Sequence, residues 1–188
     1  SGERPGVLVV HEWWGHNAFA REQAEKLARA GYTAFALDMY GEGKVADHPD
    51  DAKAFSQEAT RRFEVVRKRF ERARQVLADH ETVDPGRIAA QGYCFGGGVV
   101  LNMARAGADL DGVVSYHGSL GSFVEAEPGD IEARIRVYTG GADSFVPAKQ
   151  VAGFVEEMHE AGADYSMTSF PGAKHSFMNP GADAFAEE

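Results

Sequence analysis

The chain has 188 residues, with 29 acidic and 19 basic side chains, a formal net charge of -10 and a hydrophobic share of 44%. This length favours one domain spanning residues 1–188, whose core needs no disulfide and no metal to hold it together. The acidic balance argues against nucleic acid as the main partner, and the single cysteine, Cys94, excludes an intrachain disulfide. No apolar run approaches the roughly 18 residues of a membrane span, and the first residues form no signal-peptide core. These features predict a cytoplasmic protein that acts without a membrane.

Short apolar runs alternate with longer amphipathic segments along the chain. Strands are predicted at residues 7–10, 33–37, 87–91, 113–116, 135–138 and 165–170. Helices are predicted from an Asn17 cap to about residue 30, over one long stretch at 51–78, and at 96–106 and 147–161. This alternation predicts an α/β protein with a mainly parallel sheet of about six strands and helices on both faces. Ligands of such sheets collect beyond the carboxyl ends of the strands.

The third strand ends in the segment Gly92-Tyr93-Cys94-Phe95-Gly96, which a predicted helix follows. This is a G-x-C-x-G version of the nucleophile elbow, a sharp turn that forces the central side chain outward. The glycines are needed because the strand and helix backbones pass too closely for Cβ atoms. A free cysteine is usually a buried small hydrophobe, but this context predicts a functional Cys94, with helix-start N–H groups that favour a thiolate.

Two further strand exits carry the partners that such a nucleophile needs. Asp143 follows the fifth strand and His175 follows the sixth, in the order nucleophile, acid, histidine that the elbow motif requires. We expect His175 to exchange the Cys94 proton while Asp143 fixes the histidine tautomer and stabilises the imidazolium. Taken alone, the aspartate would be a turn or cap residue and the histidine a solvated loop side chain.

The first strand exit holds a carboxylate, Glu12, directly after a buried strand. A buried carboxylate is costly unless it is hydrogen-bonded, so Glu12 either bonds to neighbouring loop amides or faces Cys94 and regulates its protonation. His11 and His16 lie nearby, but no further ligand accompanies them at metal-binding spacing, and we predict neither a metal nor another cofactor. His117 ends the fourth strand, where it could line a pocket.

These segments together resemble the dienelactone hydrolase family. The matching motifs cover nearly the whole chain in order: His11-Glu12-Trp13-Trp14-Gly15, Leu37-Asp38-Met39-Tyr40-Gly41, Gly92-Tyr93-Cys94-Phe95-Gly96-Gly97, Gly140-Gly141-Ala142-Asp143 and His175-Ser176-Phe177. The resemblance implies an α/β-hydrolase fold with Cys94 as nucleophile, His175 as base and Asp143 as its orienting acid. It also implies that Glu12 hydrogen-bonds to the resting thiol and accepts its proton when substrate binds. The oxyanion donors would be the backbone N–H groups of Trp13 and Phe95.

Two features depart from the family pattern. Members that act on chlorocatechol-derived lactones grip the substrate carboxylate with two arginines, and the corresponding places here hold about Glu42 and Asn179. A more neutral ester or lactone therefore becomes plausible as substrate. The chain is also short at both ends for the family, which is expected of a fragment or a trimmed form, and it would be a monomer or a homodimer.

The predicted activity is hydrolysis of carboxylic ester or enol-lactone bonds through a Cys-His-Asp triad and a thioester acyl-enzyme. A thiolate can return from the tetrahedral intermediate, which favours substrates whose own leaving group departs easily. Four aromatic side chains are expected to form an apolar substrate pocket: Trp14, Tyr40, Phe145 and Phe177. The alternative is a non-catalytic binding or redox-sensing protein on a hydrolase scaffold, with Cys94 as an exposed, low-pKa sensor thiol.

Overall fold

The computed structural model describes residues 2–182, which build one six-stranded sheet. Its strands are β1 (Arg4–Val10), β2 (Thr33–Leu37), β3 (Val83–Tyr93), β4 (Gly112–Tyr116), β5 (Arg134–Gly140) and β6 (Tyr165–Phe170). They lie in the order β2-β1-β3-β4-β5-β6, and every neighbouring pair is parallel. The prediction of a parallel sheet of about six strands is confirmed.

Five helices connect these strands and cover both faces of the sheet: α1 (Ala18–Arg29), α2 (Pro49–Arg61), α3 (Phe63–Ala78), α4 (Phe95–Arg105) and α5 (Ala148–Glu160). Because side chains alternate along a strand, β1 sends Val9 to the face where Phe19 of α1 packs. Leu8 and Val10 point to the opposite face, into the large core that α3, α4 and α5 share. The predicted Asn17 cap is present, since its side chain accepts the Ala20 N–H. None of the described helices is long and apolar enough to cross a membrane.

The single long helix predicted at residues 51–78 was wrong, because the chain breaks it at Arg62. This residue has φ -120° and ψ 56°, outside the helical region, and separates α2 from α3. The two helices are buried in different ways: α2 places Ala52 in a small cluster with Trp14 and reaches the main core with Ala59 near its end, whereas α3 buries Phe70 in the main core. The apolar spacing continues through the break, and neither proline nor glycine marks it.

The carboxyl ends of the strands gather at one edge of the sheet. There β1 leads to Glu12, β3 to Cys94, β5 to Asp143 and β6 to His175. Because all strands are parallel, loops that are far apart in the chain become neighbours at this edge.

Candidate active site

The turn from β3 into α4 holds Cys94 in a left-handed backbone conformation, with φ 51° and ψ -113°. The turn brings the flanking backbone segments so close together that only glycine fits at Gly92 and Gly96. A Cβ atom on Gly92 would lie 2.1 Å from the Gly96 carbonyl oxygen, and one on Gly96 would lie 2.4 Å from the Val10 carbonyl oxygen. The glycines therefore serve the close approach that the sequence predicts, and the elbow is locked against β1.

A chain of hydrogen bonds runs from the thiol to a buried carboxylate. The Nε2 atom of His175 lies 3.1 Å from the Cys94 Sγ, and its Nδ1 lies 2.8 Å from the Asp143 Oδ2. The second oxygen of Asp143 accepts the backbone N–H of Phe145 at 2.9 Å. Because a carboxylate only accepts hydrogen bonds, this contact assigns the histidine proton to Nδ1 and turns Nε2 toward the sulfur. The structure thus brings the three side chains together in the predicted order.

Two backbone donors converge on the sulfur, from the N–H groups of Trp13 and Phe95. They belong to the loop after β1 and to the first residue of α4, the two places named for oxyanion donors. Burial, and to a smaller extent the nearby Glu12 carboxylate, raise the pKa of the Cys94 thiol to about 12, although the two backbone hydrogen bonds oppose this rise. The helix start was expected to favour a thiolate, but burial outweighs it, and the resting thiol is protonated at neutral pH.

The Glu12 side chain is buried, with 2% of the residue exposed, and its hydrogen bonds go to the loop after β6. Asn179 Nδ2 donates to its Oε2 at 2.6 Å, and Ser176 provides a second side-chain hydrogen bond. Burial raises the pKa of Glu12, and these two hydrogen bonds oppose that rise. The expected hydrogen bond from Glu12 to the thiol was wrong, because His175 takes the sulfur while Asn179 and Ser176 supply the carboxylate with better donors.

The loop that carries Glu12 and Trp13 is pinned by side chains from below. His11 accepts the Met39 N–H on Nε2 at 3.1 Å, so its Nδ1 carries the proton and donates to the Glu12 carbonyl oxygen at 2.6 Å. Tyr40 donates its hydroxyl to the Trp13 carbonyl oxygen at 2.8 Å. These bonds fix the direction of the Trp13 N–H at the sulfur.

The four aromatic residues expected around a substrate lie in two different settings. Trp14 and Tyr40 are buried, Trp14 in a cluster with Ala46 and Ala52. Phe145 is 68% exposed, with its ring centroid 4.7 Å from that of His175. Phe177 is partly buried, with its ring 5.3 Å from that of His117. The accessible apolar surface near the histidine therefore comes from the two phenylalanines, and the other two rings support the loop after β1.

The sequence did not predict the contacts of two residues at this site, His117 and Asn179. His117 lies fully buried beside the nucleophile, with its Nδ1 3.1 Å from the Cys94 backbone nitrogen. Asn179 was noted only as the replacement of a family arginine. A signal existed for both: β4 ends next to β3, and Asn179 stands four residues after His175 in the same loop. Within residues 2–182, no group of three or more histidine, cysteine, aspartate or glutamate side chains is placed to hold a metal ion.

Comparison with known proteins gives concordant matches. The family model described as the dienelactone hydrolase family matches residues 1–188. Protein usf of Aquifex pyrophilus is 31% identical over 180 residues, which are 93% of this chain and 77% of that protein. The carboxymethylenebutenolidase of Pseudomonas putida is 28% identical over 192 residues, covering 89% of this chain and 78% of that enzyme.

Among solved structures, one similar chain is the dienelactone hydrolase-like promiscuous phosphotriesterase P91 from metagenomic libraries. It is 33% identical, superposes with a TM-score of 0.88, and the match covers 98% of this chain and 77% of that one. The shared architecture confirms the α/β-hydrolase fold.

Proposed function

Because this chain belongs to the dienelactone hydrolase family, a family of hydrolases, we propose that it cleaves carboxylic ester or enol-lactone bonds through a thioester on Cys94. The observation that carries the proposal is the unbroken hydrogen-bond chain from the thiol through His175 to the buried Asp143. A nucleophile, a base and a group that orients the base are the parts that nucleophilic acyl transfer needs.

In the acylation step, His175 Nε2 takes the thiol proton as Sγ attacks the substrate carbonyl carbon. The new C–S bond leaves a negative charge on the carbonyl oxygen, which the N–H groups of Trp13 and Phe95 stabilise. The intermediate then expels an alkoxide, phenolate or enolate, which receives the proton from the His175 imidazolium. Water attacks the thioester with His175 as base, releasing the carboxylic acid and restoring the thiol.

Because its pKa is raised, the Cys94 thiol stays protonated in the free enzyme. Burial and the Glu12 carboxylate both favour the neutral thiol, so the nucleophile is formed only when a substrate occupies the site. In this proposal the Glu12 carboxylate keeps the resting sulfur protonated, and its negative charge stabilises the His175 imidazolium that forms when Sγ attacks. The same raised pKa speaks against a sensor thiol, because redox-sensing cysteines have low pKa values and exposed sulfurs.

The charge around the sulfur favours a neutral substrate. Glu12 and Asp143 are the two acidic groups that raise the pKa of Cys94. Asn179 stands at the position where family members that act on acidic lactones have an arginine. An incoming carboxylate would meet these two negative charges, and Asn179 offers it no positive charge in return. Exposed Phe145 offers apolar surface beside His175, which suits an aryl or alkyl group of an ester.

A second candidate activity is hydrolysis of phosphotriesters, the activity for which the 33% identical phosphotriesterase P91 is named. The same sulfur, histidine and oxyanion donors could serve a neutral phosphorus centre. Phosphotriesters also share with activated esters a good leaving group and no net charge.

The test is a substrate panel with one leaving group: 4-nitrophenyl butyrate, its acidic analogue 4-nitrophenyl hemisuccinate, and the phosphotriester paraoxon. We expect kcat/KM for the neutral ester to be at least about tenfold higher than for the acidic ester. This factor is the order of magnitude expected from repulsion between one substrate charge and the acidic groups of a partly buried site. Cys94→Ala should abolish ester turnover while keeping the melting temperature. Mass spectrometry should find a butyryl adduct on the wild-type peptide that contains Cys94, the only cysteine.

The matched control is Ser144→Ala, which removes an exposed hydroxyl next to Asp143 and leaves the hydrogen-bond chain intact. Its activity should equal that of the wild type. Persistent ester turnover in Cys94→Ala would overturn the nucleophile, and a preference for the hemisuccinate would overturn the neutral substrate class. Turnover of paraoxon alone would transfer the assignment to phosphotriesters.

A further inference from the structure

Two buried polar atoms face each other beside the nucleophile. Glu12 Oε1 and His117 Nε2 lie 3.9 Å apart, and their side chains are 1% and 0% exposed. Neither atom has a hydrogen-bond partner within residues 2–182. Buried polar atoms are almost always satisfied, so two such atoms that point at each other call for a functional explanation.

The hydrogen bond on the other side of the His117 ring assigns its proton. Nδ1 lies 3.1 Å from the backbone nitrogen of Cys94 and accepts that N–H, which it shares with the Tyr116 carbonyl oxygen at 3.0 Å. Burial, together with the neighbouring His175, lowers the pKa of His117 to about 3. A neutral ring that accepts on Nδ1 carries its only proton on Nε2, so the atom that faces the carboxylate is a donor.

The ring has little freedom to turn away. Its backbone N–H donates to the Tyr138 carbonyl oxygen at 2.8 Å, and its φ of 42° places it in a left-handed turn. Its centroid lies 5.3 Å from the rings of both His175 and Phe177, and 6.1 Å from that of Tyr93. The carboxylate of Glu12 is the partner that can move, by about 1 Å, to reach ordinary hydrogen-bond distance.

We propose that His117 is a positioning residue whose Nε2–H donates to the Glu12 carboxylate, so that Asn179 and His117 hold its two oxygens between them. This inference deepens the proposed function and rests on it, since it concerns how the carboxylate beside Cys94 and His175 is kept ionised. A donor from His117 to the unpaired oxygen, added to those from Asn179 and Ser176, makes the carboxylate easier to keep ionised. His117 also bonds to the nucleophile backbone, so one rigid ring sets both groups.

Other titratable groups face this pair and must be separated from it in any measurement. Cys94 in the elbow and His175 after β6 both interact with Glu12, and Tyr93 of β3 lies beside the His117 ring. Asp143 after β5 acts on the same thiol. A test that reads Glu12 itself is therefore preferable to one that reads only the reaction rate.

The experiment is a ¹³C NMR titration of the Glu12 side-chain carboxyl, whose signal is assigned as the one missing in Glu12→Gln. We expect His117→Phe, which removes the donor, to raise the pKa of Glu12 by about one unit, tenfold in the protonation equilibrium. His117→Gln offers an amide donor at the same reach and should restore the wild-type pKa. His117→Met is a second donor-free variant, so the comparison does not depend on the folding of one protein.

An unchanged Glu12 pKa in both donor-free variants, or an equal rise in His117→Gln, would overturn the inference. The acidic limb of the pH profile of kcat/KM for 4-nitrophenyl butyrate should follow the NMR shift, and a merely structural role would leave that limb in place. The two proposals fail separately. If the wild type does not hydrolyse esters but the donor-free variants raise the Glu12 pKa, only the proposed function is refuted. If the wild type hydrolyses esters but the Glu12 pKa does not change in the variants, only the role of His117 is refuted.

Discussion

At the scale of single residues, Asp143 has two oxygens with two different duties. One oxygen accepts the Phe145 N–H and fixes the loop, and the other accepts the His175 Nδ1–H and fixes the ring. The residue is 6% exposed, so water cannot replace either bond. The orientation of the histidine thus depends on the second oxygen alone.

Asp143→Asn separates these duties. The amide oxygen can keep the Phe145 bond, but the amide N–H₂ group would face Nδ1 and force the histidine proton to Nε2, the wrong tautomer for a base. We expect kcat for 4-nitrophenyl butyrate to fall by about 10³–10⁴, with the melting temperature within a few degrees of the wild type. Asp164→Asn, an exposed aspartate that pairs with Arg134 and Arg136, serves as the control. A loss below tenfold would mean that Asp143 does not set the tautomer.

The sequence predicts the residues of this site better than their contacts. Cys94, Asp143 and His175 are predictable because each lies in the segment that follows a strand of one parallel sheet, and parallel strand ends share an edge. The partner of Glu12 is not, because Asn179 lies 167 positions away and reaches it through a side-chain rotation that no pattern encodes. The neutral, donor-bearing state of His117 likewise depends on a backbone N–H from a neighbouring strand exit.

At the scale of elements, the elbow is a junction of β3, α4 and β1 without room for a side chain. Gly96→Ala would put a Cβ 2.4 Å from the Val10 carbonyl oxygen and 2.6 Å from that of His11. Because backbone must shift to relieve this contact, we expect a loss of about 1–3 kcal/mol in the free energy of unfolding, measured by urea denaturation, and a large loss of ester turnover.

Gly153→Ala is the matched control within α5. A Cβ there meets nothing within 4 Å, and the position is exposed inside a helix. Alanine should therefore raise the free energy of unfolding by about 0.5–1 kcal/mol. Equal effects of the two substitutions, in sign and size, would contradict the account of the elbow.

The helices illustrate where pattern reasoning stops. The spacing of apolar residues correctly finds the buried face of α3, including Val66 and Phe70. It misses the break at Arg62, because periodicity records which side of a helix is buried and not which partner buries it. The small cluster of Trp14, Ala46 and Ala52 buries the start of α2, and that cluster brings together residues from three separate segments of the chain.

At the scale of the whole molecule, two neutral buried histidines make stability depend on pH. Burial lowers the pKa of His11 to about 4 and that of His117 to about 3, against an ordinary value of 6.5. Above pH 6.5 both states are neutral and nothing changes. Below pH 6.5 these histidines bind protons in the unfolded chain but stay neutral in the folded chain. The free energy of unfolding therefore falls as the pH falls, by about 2 kcal/mol for each histidine at pH 5.

This is measured as the free energy of unfolding in urea at pH 8 and pH 5. Carboxylates also titrate in this range, so the informative quantity is the difference between wild type and His117→Gln. The loss from pH 8 to pH 5 should be smaller in the variant by about 2 kcal/mol. Identical losses in the two proteins would show that His117 is not neutral in the folded state.

The strand order has a consequence for how the chain is made. β1 pairs with β3, and about seventy residues that include β2, α2 and α3 must be synthesised between them. At roughly 5–20 residues per second, the edge of β1 that pairs with β3 stays unpaired for several seconds while the chain is synthesised. That edge belongs to Leu8, Val9 and Val10, which are fully buried in the finished protein. The speed of translation between β1 and β3 therefore governs how long this apolar strand is open to aggregation.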